Sequence, residues 1–257
     1  MTTPAARIER TQWDLFWVPP DVTVVDRPDL LLVTCPRPAP YLNTVLRTRA
    51  PADALPALVA EVEGHMAGRR ARWLVPDTID RAPLERTLAA RGWALTEQLE
   101  VRVLPVDAWR RPPSSVTVHA VDSLARLRDT ADVTGTAFGR PVTTTDAELA
   151  LDLRACTEGR RVHRFVAYDT DGTPIASGGL TAFPDVGFGL LWAGGVVPTA
   201  RGRGAYTAVL AARIERARAL GLREVGLYAK ATTSAPIVAR LGFGREGEMA
   251  YWESGGG

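Results

Sequence analysis

The chain has 257 residues, 46% of them apolar, and 31 basic against 29 acidic side chains leave a net charge of +2. That much apolar material excludes a disordered chain. So small a net charge gives no electrostatic case for nucleic-acid binding. The amino-terminal stretch MTTPAARIERTQWDLFW is polar and of mixed charge, unlike a secretion signal. No run reaches the ~18 apolar residues of a membrane span. The sequence reads as that of a cytoplasmic protein without membrane or nucleic-acid partners. Cys35 and Cys156 lie far apart with no histidine at ligand spacing. Reduced thiols and no metal site are expected.

In chain order, the first half gives a strand in ARWLVPD, a helix in APLERTLAARGW and a strand in LTEQLEVRVLP. The stretch AWRRPPSSV, residues 108–116, then stops regular structure with two prolines and two serines. This places a boundary near Pro112, dividing the chain into 1–112 and 113–257. Beyond it come a strand at 116–119, a helix running to Gly139 and a second helix over 145–157. VHRFVAYD, IASGGLTAF and FGLLWAGGVV read as strands joined by the turns DTDGTP and PDVG. A loop, a long helix to about Leu220, the strand REVGLYA, the short helix TSAPIVARL and the strand REGEMAYWE complete the order. The fold class is a mixed α/β sheet with antiparallel hairpins first and a crossover later. LAARGWALTEQLE (88–100) and IVARLGFGREGEM (237–249) share a helix end, a Gly-aromatic pair and an amphipathic strand, which suggests two related halves.

The loop VVPTARGRGAY carries the sharpest signal. It ends a strand and opens a helix, whose amino end has unpaired N–H donors and about half a unit of positive charge. Glycines let the backbone approach a phosphate closely, and Arg201 and Arg203 add charge. There is no Walker or dinucleotide-binding glycine pattern. This loop, its helix, the strand VGLYA and then APIVARLGF resemble the GNAT superfamily of acyl-CoA-dependent N-acyltransferases, over roughly 116–253. The resemblance implies two tandem GNAT-like units. The amino-terminal one is degenerate, because it lacks the Arg-Gly-Arg-Gly loop and is not expected to bind CoA. It also implies acetyl-CoA as co-substrate, with its pyrophosphate on the backbone of Arg201, Gly202, Arg203, Gly204, Ala205 and Tyr206. Val196 and Val197 are implied on the pantetheine arm, one of their N–H groups polarising the thioester carbonyl.

Two positions depart from the family pattern. Tyr206 stands where the loop ends on a small residue, and Val238 stands where many members carry the tyrosine that reprotonates the thiolate. At 100° per residue Tyr206 shares a helix stripe with Leu210, Ile214 and Ala217, which aims it at the sheet. With Val238 in place, Tyr228 and Ser234 are the candidate acids, against a core role for the first and a capping role for the second. Asp185 is the nearest candidate base; a water relay or an already neutral amine also serves. Trp192 and Phe188 are candidates to line the acceptor pocket, against sheet packing. The expected reaction is acetyl transfer to a primary amine of a small molecule or peptide by direct attack. A non-catalytic acyl-CoA-binding module and a phosphate binder unrelated to CoA are the alternatives. A homo-oligomer is compatible with the sequence.

Overall fold

The computed structural model describes residues 3–37, 40–66, 68–139, 145–159 and 161–255. In chain order the elements are α1 (Pro4–Arg10), β1 (Thr23–Arg27), β2 (Leu30–Thr34), β3 (Thr44–Thr48), α2 (Leu55–Met66), β4 (Arg72–Pro76), α3 (Arg81–Ala90) and β5 (Ala94–Pro105). There follow β6 (Thr117–Ala120), α4 (Leu124–Phe138), α5 (Asp146–Thr157), β7 (Val162–Tyr168), β8 (Pro174–Phe183) and β9 (Phe188–Val196). The last are α6 (Ala205–Ala219), β10 (Glu224–Lys230), α7 (Ser234–Arg240) and β11 (Gly244–Glu253). The fold is mixed α/β. It divides into two compact units, residues 1–102 with 228–257, and residues 103–227. The chain passes from the first to the second within β5 and returns within β10.

In the first unit the strand order is β1-β2-β3-β4-β11-β5. Alternate residues of its strands serve opposite faces, as a pleated strand requires. Leu30, Leu32, Val45, Trp73 and Val75 pack against Leu58, Val59 and Val62 of α2 and Leu84 and Leu88 of α3. Leu31, Val33, Leu46 and Leu74 face the other way, onto a cluster with Leu99, Met249 and Trp13. In α2 the buried positions recur at the three- and four-residue spacing of one helix face.

The second unit has the order β10-β9-β8-β7-β6. β6 to β9 run antiparallel, and β10 joins β9 in parallel. The helices take opposite faces. Leu127 of α4 and Leu149 of α5 pack on Val166, while Val209 of α6 packs on its strand neighbours Phe165 and Ala167. α4 stops at Gly139, whose φ of 64° is left-handed, and α5 starts from a capping box of Thr145 and Glu148.

The elements read in the second half of the sequence all appear. α1, β1, β2, β3 and α2 have no counterpart in that reading. The compact units also differ from the division near Pro112. β11 pairs antiparallel with β4, from Met249↔Pro76 to Glu253↔Arg72, so the last strand lies in the first unit. The end of β5 serves the second unit, where Val106 donates its N–H to the Arg223 carbonyl at 2.9 Å. Strand pairing is long-range, and a composition break does not report it.

Candidate active site

The glycine-arginine loop precedes α6 in the second unit. Gly202 and Gly204 have φ of 77° and 81°, and a Cβ on either would meet no atom within 4 Å. Glycine is therefore needed there for backbone conformation, not for space. Gly204 caps α6 with no side-chain bond. Among the described residues, the N–H groups of 202–207 find no protein acceptor. Six donors at the positive end of a helix make a ready anion seat. Arg201 reaches the Ala137 carbonyl at 3.5 Å. Arg203 is exposed and has no hydrogen bond or ion pair among the described residues.

The strand leading into this loop is irregular in two ways. Its pairing with β10 covers only Phe188, Gly189 and Leu190, so one edge of residues 191–196 lacks a parallel partner. On its other edge, Ser177 pairs with Gly195 and Gly179 with Trp192, so Gly178 alone faces both Ala193 and Gly194. This is a β-bulge, and its extra residue is left off the ladder. Ala193 has φ of 47°, the one left-handed non-glycine residue among those described. A split strand pair offers free backbone groups to an extended ligand, and the bulge offers N–H donors at a fixed point along it.

Tyr206 is half-buried in the first turn of α6. Its ring Cε2 lies 3.2 Å from where a Cβ on Gly194 would stand. It therefore points at the bulge, on the stripe that holds the fully buried Leu210, Ile214 and Ala217. Beside it on this face is Arg213, 2% exposed. Its Nη1 donates to the Gly179 and Trp192 carbonyls at 3.4 and 3.5 Å, and its Nε to Val209 at 3.4 Å. No carboxylate lies within ion-pair range among the described residues. Burial pushes the guanidinium pKa down, and the adjacent Tyr206 phenol opposes that shift.

The other sequence candidates are placed as follows. Val197 uses its N–H on the Ile175 carbonyl at 3.0 Å, so it has no spare donor for a thioester. Val196 is opposite Ala176, and the unpaired residues are Ala193 and Gly194, nearer the middle of β9. Trp192 lies flat on β8, with Nε1 donating to the Thr181 hydroxyl at 2.9 Å and the Arg164 guanidinium 5.0 Å from its ring centre. It lines a small cavity beside Ala193 with Thr130, Thr134, Arg164 and Ser177. Phe188 is fully buried and presents no surface to an acceptor. Asp185 is exposed in the turn before β9. From Phe188 to Ala193 the strand rises about 16 Å at ~3.3 Å per residue, too far for direct proton transfer. Tyr228 and Ser234 belong to the first unit. The Tyr228 hydroxyl is buried without a hydrogen-bond partner among the described residues, and burial pushes its pKa well above 10. It packs with Leu31, Leu74 and Met249, as a core aromatic does. Ser234 accepts the Lys230 N–H at 2.8 Å, tying the turn before α7, while Thr233 occupies the cap position. Val238 is fully buried, and the volume a tyrosine needs is absent there.

Residues 127–243 match the model of the Acetyltransferase (GNAT) family. The chain carries a GNAT acetyltransferase domain. No curated protein matches the sequence. Among solved structures, a GCN5-related N-acetyltransferase from Kribbella flavida superposes with a TM-score of 0.72 at 17% identity, covering 100% of this chain and 98% of that one. Another from Sphaerobacter thermophilus gives 0.66 at 19%, covering 90% and 82%. A tandem GNAT protein from the clavulanic acid biosynthesis pathway gives 0.63 at 17%, covering 97% and 88%. At these identities the likeness is one of fold. That family takes acetyl-CoA as co-substrate, so residues 127–243 form an acetyltransferase domain. Among the described residues no helix is long and apolar enough to cross a membrane.

The sequence reading missed Arg213, and it looked to Val196 and Val197 for the bulge that lies at Ala193 and Gly194. Their signals were present. SGG in β8 and AGG in β9 put small residues opposite one another, and one arginine falls on the apolar stripe of an alanine-rich helix.

Proposed function

We propose that this protein transfers an acetyl group from acetyl-CoA to a primary amine of a small molecule or peptide, by direct attack in a ternary complex. The observation that carries the reading is the pairing of an anion seat at 202–207 with a bulged, half-unpaired strand directly before it. In this reading the loop holds the pyrophosphate. The free edge of 191–196 holds the pantetheine arm, with Val196 and Val197 at its end. The amides of the bulge polarise the thioester carbonyl. The amine attacks that carbonyl, the C–S bond breaks, and the thiolate leaves with a proton taken from solvent or from the attacking amine. The side chain of Trp192 borders the acceptor.

Direct attack is favoured because the thiols suit covalent catalysis poorly. Cys35 is buried, and burial raises the Cys156 pKa, which lowers its thiolate fraction. Initial rates varied in both substrates should give intersecting double-reciprocal lines, read as free thiol released from acetyl-CoA over an amine panel. Parallel lines would point to an acetyl-enzyme. Intact acetyl-CoA binding with no thiol release for any amine would sink the reading.

We also read the chain as two tandem GNAT-like units, the first degenerate. The order β1-β2-β3-α2-β4-α3-β5 repeats that of β7-β8-β9-α6-β10-α7-β11. The pairing of β3 with β4 is likewise confined to two residues, Thr44 and Val45, before the strands part. A cavity of about 350 Å³ lined by Thr48, Arg49, Leu55 and Ile79 follows the split. No Arg-Gly-Arg-Gly loop precedes α2, so the acetyl-CoA site is assigned to the second copy alone.

A further inference from the structure

Arg213 presents a physical problem. A guanidinium taken out of water without a carboxylate is expensive, and such a group persists only where other groups satisfy it. Here the backbone carbonyls of Val209, Gly179 and Trp192 do so. Two of the carbonyls, Gly179 and Trp192, flank the β8–β9 bulge. The space is made by glycines: a Cβ on Gly178 would stand 2.9 Å from the guanidinium carbon, and one on Gly194 would stand 3.2 Å from Nη2. The same bulge holds Ala193 at φ 47°, a left-handed conformation that a Cβ disfavours. Strain of that kind lasts only where the surroundings fix it.

We propose that Arg213 is a positioning residue for acetyl transfer: seated in the notch left by Gly178 and Gly194, it bridges the carbonyls on either side of the bulge. It thereby holds the amides of Ala193 and Gly194, which have no register partner on β8, in position for the reacting carbonyl. Its charge lies in a water-poor site beneath the peptide that meets the developing oxyanion, where a fixed positive charge acts most strongly. Tyr206, one of the two positions that depart from the family pattern, lines the same notch, its ring and the guanidinium each 3.2 Å from where a Cβ on Gly194 would stand. The inference rests on the acetyl-transfer reading for its catalytic half only.

The test uses the full chain with Arg213→Met, Arg213→Lys and the double variant Arg213→Met with Ala193→Gly. Lysine keeps the charge but bridges two carbonyls poorly, and glycine removes the strain at position 193. Three quantities are read: the acetyl-CoA dissociation constant by calorimetry, kcat with the amine that the wild-type protein uses, and amide exchange across 192–195. For Arg213→Met the expected result is a kcat loss of about 10- to 100-fold, an acetyl-CoA dissociation constant within about threefold, and faster exchange at 192–195. The lysine variant should fall between it and wild type, and the glycine change should restore part of kcat. Folded methionine and lysine variants with wild-type kcat and exchange would overturn the proposal. So would a melting-temperature loss with kcat per folded molecule unchanged, which is what a purely structural role gives. If methionine prevents folding, the lysine variant decides by the same three readings. A wild-type protein that binds acetyl-CoA but acetylates nothing would remove the functional reading and the catalytic half together. Exchange at 192–195 would still decide the clamp.

Discussion

Tyr206 shows how a departure from a family pattern is resolved by where one side chain goes. Its backbone stays in the anion seat while its ring turns to the bulge. The ring is thus turned from the N–H groups proposed to hold the pyrophosphate, and Tyr206→Phe should leave CoA affinity within about twofold by calorimetry. A tenfold loss would show the hydroxyl to be a ligand. Arg203 is the opposite case, an exposed charge with no protein partner among the described residues. Arg203→Ala should weaken CoA binding about two- to fivefold, less at high salt, as expected for an exposed charge contact. Equal affinities at low salt would remove that side chain from the site. Tyr228 shows the limit of reading roles from residue type. A tyrosine near the end of a strand suggests an acid, yet its hydroxyl is buried against an apolar cluster, which pushes its ionisation well above 10.

Among the elements, α6 and the pair β4–β11 carry the sharpest consequences. Gly204 takes φ 81° at the start of α6, with open space around it. Gly204→Ala should cost about 1–2 kcal/mol through backbone conformation alone, lowering the melting temperature and weakening CoA binding together. An unchanged melt would show that the left-handed turn is not required. In β11, burial works against the Glu253 charge, but hydrogen bonds from Arg72 and Arg70 outweigh it, and the carboxyl pKa ends below its usual 4.5. The unfolded chain then binds the proton more tightly, so this stabilisation is present above about pH 4.5 and is lost as pH falls through the lower folded value. Glu253→Gln should cost about 1–3 kcal/mol at pH 7 and flatten the acid limb of the stability curve below pH 4.5. Equal slopes for the two proteins in urea titrations across that range would contradict the assignment.

At the scale of the molecule, the compact units are not two consecutive stretches of chain. Residues 244–253 form the strand that pairs with β4, and Met249 and Ala250 lie in the two cores of the first unit. A fragment of residues 113–257 keeps the anion loop but leaves β11 without β4. It is expected to melt non-cooperatively or aggregate, whereas the full chain melts cooperatively. A cooperative melt of that fragment, with CoA bound at full affinity, would show that the pairing of β11 with β4 is dispensable.

The second half of the fold was legible because its signals are local. Gly139 stops a helix, Asp171-Gly172 turns a hairpin, and alternation marks β7 to β9. The glycine turn that opens α6 was legible for the same reason, since its residues are contiguous. The first half hid its early strands. All five residues of β2 are buried, so it shows no alternation, and β1 and β3 are short. The partner of β11, the bulge opposite Gly178 and the seat of Arg213 depend on register between residues far apart in the chain. Sequence by itself determined the element types of the second half and the acetyltransferase class. Tertiary structure alone decided which strands close which unit, which amides are left unpaired, and where a buried charge is satisfied, because those outcomes are set by pairing across the fold and not by neighbours along it.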